Sequence, residues 1–202
     1  MITASYVGGG QALTVCFGLT CISVLLWRVT DGVVDSIRDI TGGIFVAAYV
    51  PLLASFSSLL LFAPDGVKRV IVFIGVTICS DIGGFAVGVM AGKHPMSPSV
   101  SPKKSWEGAA GGLAGAVITG MILREAFFPH LFGRFEAASV AAVMGVLAQV
   151  SDLAESLVKR CFGVKDSSQL LPGHGGVLDR FDSFLLSTPF LYFYLTMIGR
   201  GM

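Results

Sequence analysis

A polar segment late in the chain carries many of the side chains that could do chemistry. Residues 156–182 read SLVKRCFGVKDSSQLLPGHGGVLDRFD, with seven charged side chains and a histidine among glycines. Apolar runs lie on both sides of this segment, and only 13% of the residues in the whole chain are charged. So apolar a chain rarely carries such a segment as a mere connection, and we expect it to hold a site.

Two acids close the polar segment where the last apolar run begins. Asp179 and Asp182 are three residues apart, so a helical start places both carboxylates on one side. Such a pair suits Mg²⁺, a hard cation that takes one or two carboxylates and otherwise binds water and phosphate oxygens. Asp152 or Glu155, in the preceding apolar run, could complete a clamp of one or two metal ions that serves phosphoryl or nucleotidyl transfer.

The middle of the segment offers groups that bind phosphate. The turn PGHGG at 172–176 contains glycines that let the backbone approach phosphate oxygens closely. His174 alone indicates little, but glycine at three of its four nearest positions favours contact with a ligand. Four basic side chains could compensate the charge of a triphosphate: Lys159, Arg160, Lys165 and Arg180.

Polar residues also recur along the apolar run 137–158. A carboxylate at membrane depth is costly unless it faces water, a cation or a hydrogen-bonding partner. We therefore expect these residues to point into the helix bundle, where they line a site or, alternatively, form a structural contact between helices. Their spacing places them on one helical face: Gln149, Asp152, Glu155, Ser156 and Lys159.

Asp81 stands near the middle of another apolar run, 70–92. A carboxylate at that depth also has to face water, a cation or a hydrogen-bonding partner. It either lines the same site or forms a buried pair with a basic residue such as Lys103 or Lys104, and the sequence leaves both open.

The loop GKHPMSPSVSPKKSWEG at 92–108 precedes the next apolar run. Its three prolines exclude a continuous helix. Lys103, Lys104 and Ser105 come just before the run, where lysine charges and the backbone amides of a helix start could bind phosphate. Anchoring of the two lysines at lipid headgroups is the alternative.

The elements that must position these residues are membrane helices. Hydrophobic residues make up 53% of the chain, more than a soluble domain of this size needs for its core. Backbone hydrogen bonds must close within each segment in lipid, which makes runs this long helical. We predict an all-α polytopic membrane protein, a single integral-membrane domain over 1–202 with about six transmembrane helices, at 11–27, 40–63, 70–92, 108–123, 137–158 and 183–198.

Small residues indicate how these helices pack. Gly84, Gly88 and Gly92 repeat at four-residue spacing, and further glycines crowd the start of the next run. Such residues let helix backbones approach closely. We interpret them as packing positions, which would also permit a homodimer.

Basic residues are distributed unequally between the two sides of the membrane. The loops 28–39, 93–107 and 159–182 hold nine Lys or Arg residues if they share one side, and the other side holds five. The positive-inside rule then predicts that these loops and the site face the cytoplasm, with both termini outside. No Lys or Arg precedes Arg28, so the first run lacks the basic start of a signal peptide and we expect it to be retained.

Composition disfavours two classes of partner. The four cysteines have no CxxC spacing and three lie in predicted helices, so neither a zinc site nor a disulfide framework is predicted. A net charge of +1 without a basic tract argues against nucleic acid.

The polar segment also resembles a known family. The string S-L-V-K-R-x4-K-D-S-S-x2-L-P-G-H-G-G-V-x-D-R-F-D resembles the defining motif of CDP-diacylglycerol synthases, also called phosphatidate cytidylyltransferases. SPKKSWEG at 101–108, GKH at 92–94 and the segment around Asp81 are similar to that family in the same order. The chain departs from the family at Ile82 and Gly84, where a hydroxyl residue and an alanine are more usual.

The resemblance implies an integral-membrane enzyme of a bacterial inner or cell membrane. Its catalytic core would be 75–198, and it would join CTP to phosphatidate with Mg²⁺, giving CDP-diacylglycerol and pyrophosphate. The implied metal ligands are Asp152, Asp179 and Asp182, and the implied catalytic residues are these three with Lys159, Lys165, Asp166 and His174. We expect substrate contacts from Asp81, Lys103, Lys104, Ser105, Glu155, Ser156, Arg160, Gly175, Gly176 and Arg180.

Two other functions stay open on the sequence. One is a cytidylyltransferase for another lipid phosphate, such as an archaeal ether lipid, because contacts with lipid tails are generic apolar packing. The other is a transporter in which Asp81, Asp152 and Glu155 relay protons or cations. The transporter gives no reason for the motif in the polar segment, and it predicts flux without CTP.

Overall fold

The computed structural model describes residues 1–31, 35–63, 65–130, 132–161, 163–164 and 178–198, and they are almost entirely helical. The helices are α1 (Ile2–Asp31), α2 (Ser36–Ala47), α3 (Leu53–Phe62), α4 (Gly66–Ala91), α5 (Trp106–Ala126), α6 (Arg134–Cys161) and α7 (Leu178–Met197). A π-helical turn (Ala48–Leu52) joins α2 to α3. Between α4 and α5 lies an antiparallel hairpin of two short strands, β1 (Pro95–Ser97) and β2 (Ser101–Ser105).

Within the described residues, five helical stretches are long and apolar enough to cross a membrane. Large apolar side chains on their surfaces are exposed, including Phe85 at 73% and Val89 at 71%. Lipid accepts such side chains, whereas water would not. The predicted all-α polytopic fold is therefore confirmed, and the sixth predicted span overlaps α7. The five stretches are Ile2–Thr30, Ser36–Phe62, Gly66–Ala91, Trp106–Ala126 and Arg134–Cys161.

The chain divides into two compact units. The first comprises Met1–Val70 and Tyr192–Met202, and the second comprises Ile71–Leu191. The catalytic core predicted at 75–198 overlaps the second unit over most of its length and stays a prediction.

In the first unit, α1 packs against α2 and α3. Helix α1 is interrupted at Gly9, whose φ of 64° and ψ of −157° are accessible to glycine and strained for other residues. Buried hydroxyl groups link α1 to α3, since Ser5 Oγ lies 2.5 Å from Ser58 Oγ and 3.3 Å from the carbonyl oxygen of Ser55. Pro51 lacks the amide hydrogen that an α-helix requires and lies in the π-helical turn.

In the second unit, small residues let α5 pack closely against both α4 and α6. A Cβ atom on Gly83 would lie 2.7 Å from the carbonyl oxygen of Gly111, and one on Gly145 would lie 2.8 Å from the Cβ of Ala116. The expectation that glycines serve helix packing is confirmed. Because these glycines are used within one chain, the predicted homodimer has no support from them and stays a prediction.

Gly83→Ala should destabilise the protein, because the added methyl group would meet a carbonyl oxygen that the α5 backbone holds in place. Gly88→Ala, also on α4, is the matched control, since its Cβ would lie 3.6 Å from the nearest atom. We expect Gly83→Ala to lower the free energy of unfolding by about 1–3 kcal/mol. Thermal unfolding in detergent measures both variants, and equal unfolding temperatures would contradict the packing interpretation.

Candidate active site

The hairpin between α4 and α5 brings a lysine to the polar face of α6. In β2, Lys103 is exposed while Lys104 is partly buried. Lys104 Nζ forms a salt bridge with Asp152 Oδ2 of α6. Arg160, near the end of α6, donates from Nε to the carbonyl oxygen of Val100 at 3.4 Å, in the turn of the hairpin.

Glu107, in the first turn of α5, closes the base of this hairpin. Its Oε2 accepts hydrogen bonds from the backbone amides of Lys93 and His94, at 3.1 and 3.2 Å. Its Oε1 lies 2.5 Å from Nδ1 of the same histidine. Ser105 caps α5, since its Oγ accepts from the amide of Gly108 at 3.1 Å. The hairpin is thus held at its base, at its turn and through Lys104.

The polar residues on one face of α6 make two kinds of contact: one with the α5 backbone, and one that neutralises a buried acid of α6 itself. Gln149 Nε2 donates to the carbonyl oxygen of Ala109 at 3.1 Å, which ties α6 to α5. Glu155 is only 1% exposed and forms a salt bridge with Lys159, one helical turn later. A buried carboxylate without such a partner would be strongly destabilising.

Hydroxyl groups fix the start of α7 against α6 and α4. Ser151 is fully buried, and its Oγ donates to the carbonyl oxygen of Asp182 and accepts from the amide of Leu186 at 3.3 Å. The Asp182 side chain accepts from the amide of Ser183 at 2.7 Å. Ser183 Oγ also donates to Asp81 Oδ1 of α4 at 3.2 Å. These contacts place two acids from separate helices side by side.

The resulting cluster contains more carboxylates than lysines. Its two lysines, Lys104 and Lys159, are each paired with a carboxylate of α6. Asp81 and Asp182 form no salt bridge with any described residue, and their shared contact is the Ser183 hydroxyl. The Ser183 hydroxyl donates to both acids and the Ser183 amide donates to Asp182, and these contacts leave carboxylate oxygens that a cation or further donors can occupy. The members of the cluster are Asp81, Asp152, Glu155, Asp182, Lys104 and Lys159.

The donor chemistry of the cluster fits a hard divalent cation. Its acceptors are carboxylate and hydroxyl oxygens, and its carboxylates outnumber its lysines. Among the described side chains, no three acidic, histidine or cysteine residues lie close enough together to hold a metal ion by themselves. The side chain of Asp179, the third predicted ligand, is outside the described part, so Mg²⁺ binding by Asp152, Asp179 and Asp182 stays a prediction.

The other predicted site residues divide into those with observed positions and those outside the described residues. Ser105 caps α5, Arg160 contacts the hairpin turn, Lys103 is exposed and Ser156 is half-buried on α6. The backbones of Asp179 and Arg180 belong to the first turn of α7, and their side chains are not described. Lys165, Asp166, His174, Gly175 and Gly176 lie outside the described residues.

Three residues that organise the cluster were not predicted from the sequence. Ser151 directly precedes Asp152 and Ser183 directly follows Asp182. A serine beside an acid is too common to indicate a site. Glu107 lies in a helix start where an acid is ordinary. Their importance follows from contacts between helices, which no local pattern records.

Comparisons with known proteins bear on the chemistry of this site. A family model described as the cytidylyltransferase family matches residues 1–198. A protein named phosphatidate cytidylyltransferase from Mycobacterium leprae is 38% identical over 200 residues, which cover 90% of this chain and 63% of the relative. Proteins of the same name are 39% identical over 199 residues in Mycobacterium bovis and 35% identical over 188 residues in Brucella suis, the latter covering 92% of this chain and 66% of the relative. The chain thus spans 63% of the length of the mycobacterial relatives.

Glu107→Ala should loosen the base of the hairpin, because the amides of Lys93 and His94 lose a charged acceptor. Loss of a hydrogen bond to a charged group predicts hydrogen exchange roughly tenfold faster or more at these amides. Hydrogen-exchange mass spectrometry on peptides covering 92–105 measures this. Glu125→Ala, at the other end of α5 where the carboxylate pairs with two arginines, is the control. Unchanged exchange in Glu107→Ala would show that the hairpin is held without this acid.

Proposed function

The chain belongs to the cytidylyltransferase family, and we propose that it joins CTP to phosphatidate within the membrane, giving CDP-diacylglycerol and pyrophosphate. Membership of this family supports CTP as the nucleotide substrate, and the names of the relatives support phosphatidate as the lipid substrate. The observation that carries the proposal is the cluster of carboxylates and lysines formed by α4, α6, α7 and the hairpin. Nucleotidyl transfer uses both kinds of side chain: acidic side chains bind the cation, and basic side chains bind the phosphates.

In the proposed reaction, a phosphate oxygen of phosphatidate forms a bond to the α-phosphorus of CTP. The bond from that phosphorus to the oxygen bridging to the β-phosphate breaks, and pyrophosphate leaves with the electron pair. A phosphate monoester is already largely dianionic at neutral pH, because its second pKa is about 6. The lipid therefore needs no strong general base, and positioning and charge compensation should supply most of the rate.

The lysines of the cluster would hold the phosphate groups. The ammonium groups of Lys104 and Lys159 each form a salt bridge with a carboxylate of the cluster. An ammonium group in this position can also donate to a phosphate oxygen. Mg²⁺, when bound, neutralises negative charge on the reacting phosphate oxygens, and we propose Asp152, Asp179 and Asp182 as the residues that hold it. The remaining residues proposed for catalysis and phosphate contact are Lys165, Asp166, His174, Gly175, Gly176, Arg180, Lys103, Arg160 and Ser156.

The proposed site opens to the cytoplasm. Contacts of the hairpin with Asp152 and Arg160 put the loop 93–107 beside the end of α6. The lysines of that loop and the basic end of α6, Lys159 and Arg160, therefore lie at the same end of the second unit, which supports the orientation argument.

Asp182→Asn should remove most activity, because the amide keeps the shape of the side chain and loses its charge. We expect CTP-dependent pyrophosphate release with phosphatidate to fall by about 100-fold or more. Asp65→Asn is the control, since that carboxylate lies in an exposed pair with Lys68. Turnover like that of the wild type in Asp182→Asn would exclude this acid from the site. Release with an ether-linked lipid phosphate but not with phosphatidate would change the proposed substrate.

Lys104→Met should weaken CTP binding, because methionine keeps an unbranched side chain and lacks the ammonium group. Because a charge-assisted contact is lost, we expect the dissociation constant for CTP to rise roughly tenfold or more. Calorimetry in detergent measures it. Lys68→Met, in the exposed pair with Asp65, should bind CTP as the wild type does. Equal affinity in Lys104→Met, with the unfolding temperature retained, would mean that this lysine serves only to neutralise Asp152.

A further inference from the structure

Ser183 occupies a position unlike that of the other hydroxyl residues on α7. Its side chain is 3% exposed, and its Oγ lies 3.2 Å from Asp81 Oδ1 and 3.3 Å from Asp182 Oδ1. Ser187, one turn later, is also buried, but its Oγ donates to backbone carbonyl oxygens of its own helix, including that of Ser183 at 2.9 Å. The latter is the usual arrangement for a serine inside a helix.

The two carboxylates that Ser183 contacts come from different helices. Asp81 belongs to α4 and Asp182 to the second turn of α7, and neither forms a salt bridge with a described residue. A single hydroxyl hydrogen shared between two oxygens makes a three-centre bond, which explains why both distances exceed those typical of O–H···O bonds. The hydroxyl therefore orients both acids and adds no charge of its own.

The backbone around Asp182 is held independently of its side chain. Ser151 Oγ of α6 contacts both the carbonyl oxygen of Asp182 and the amide of Leu186, two backbone groups of α7. Ser151 thereby sets the position of α7 along α6, next to Asp152. Ser183 then determines how the Asp81 side chain meets that of Asp182.

We propose that Ser183 is a positioning residue of the acidic cluster, whose hydroxyl holds Asp81 of α4 beside Asp182 of α7 so that both carboxylates act on one divalent cation. The inference deepens the proposed function, because it concerns the cation site of the same cluster. A side chain that supports a metal ligand in this way typically changes metal affinity by about 10- to 100-fold when it is removed.

Titration of the purified protein with Mn²⁺, followed by electron paramagnetic resonance without CTP or lipid, tests this proposal. We expect Ser183→Ala to bind Mn²⁺ roughly tenfold more weakly than the wild type, or worse. Ser183→Thr keeps the hydroxyl group and should restore binding. Ser187→Ala removes an equally buried hydroxyl of the same helix that does not contact the acids, and it should bind as the wild type does. Unfolding temperatures of all variants separate a lost contact from a lost fold.

Equal weakening in Ser183→Ala and Ser187→Ala would overturn the proposal, because the effect would then follow from removing any buried hydroxyl of α7. Undiminished binding in Ser183→Ala, or no Mn²⁺ binding by the wild type, would overturn it as well. The titration uses no substrate, so a failure of the proposed reaction would be seen separately, as wild-type protein that binds Mn²⁺ and releases no pyrophosphate from CTP.

Discussion

Carboxylates among membrane helices must meet a cation, a hydrogen-bond donor or water, and this constraint determines the arrangement around α6. Glu155 is buried and is compensated from its own helix by Lys159. Asp152 is compensated from outside, by a lysine that the hairpin carries. The attachments of the hairpin at its base and turn therefore have a clear consequence, since they keep Lys104 where Asp152 requires a positive charge.

Close helix packing makes this compensation geometrically possible. Glycine on α4 and α5 lets the two backbones approach until a Cβ on Gly83 would overlap the carbonyl oxygen of Gly111. Gly112 of α5 leaves room for the Gln149 side chain of α6, since its Cβ would lie 2.8 Å from Gln149 Nε2, and Gln149 bonds to the α5 backbone at Ala109. Larger residues at the tightest glycine positions would push the helices apart and weaken these contacts. The polar contacts of the second unit thus depend on its smallest residues.

The sequence predicted the membrane helices well because apolar runs of this length have few other stable structures in lipid. It also placed Asp152, Glu155 and Lys159 on one face, since helical periodicity is local information. It left open whether Asp81 pairs with Lys104 or lines the site. The structure pairs Lys104 with Asp152 and brings Asp81 to Ser183, beside the other acids of the cluster. Such partners are separated by many residues in the chain, and only the packing of α4, α6 and α7 decides between them.

Two kinds of compensation in one cluster have different chemical consequences. A third lysine in the cluster would add positive charge and weaken its attraction for a cation. The Ser183 hydroxyl orients oxygens of Asp81 and Asp182 without adding charge, so an attraction for a cation persists. Lys104 and Lys159, by contrast, neutralise the α6 acids and bring positive charge to the cluster. A cluster of four acids and two lysines can attract a divalent cation and a polyphosphate together, as the proposed reaction requires.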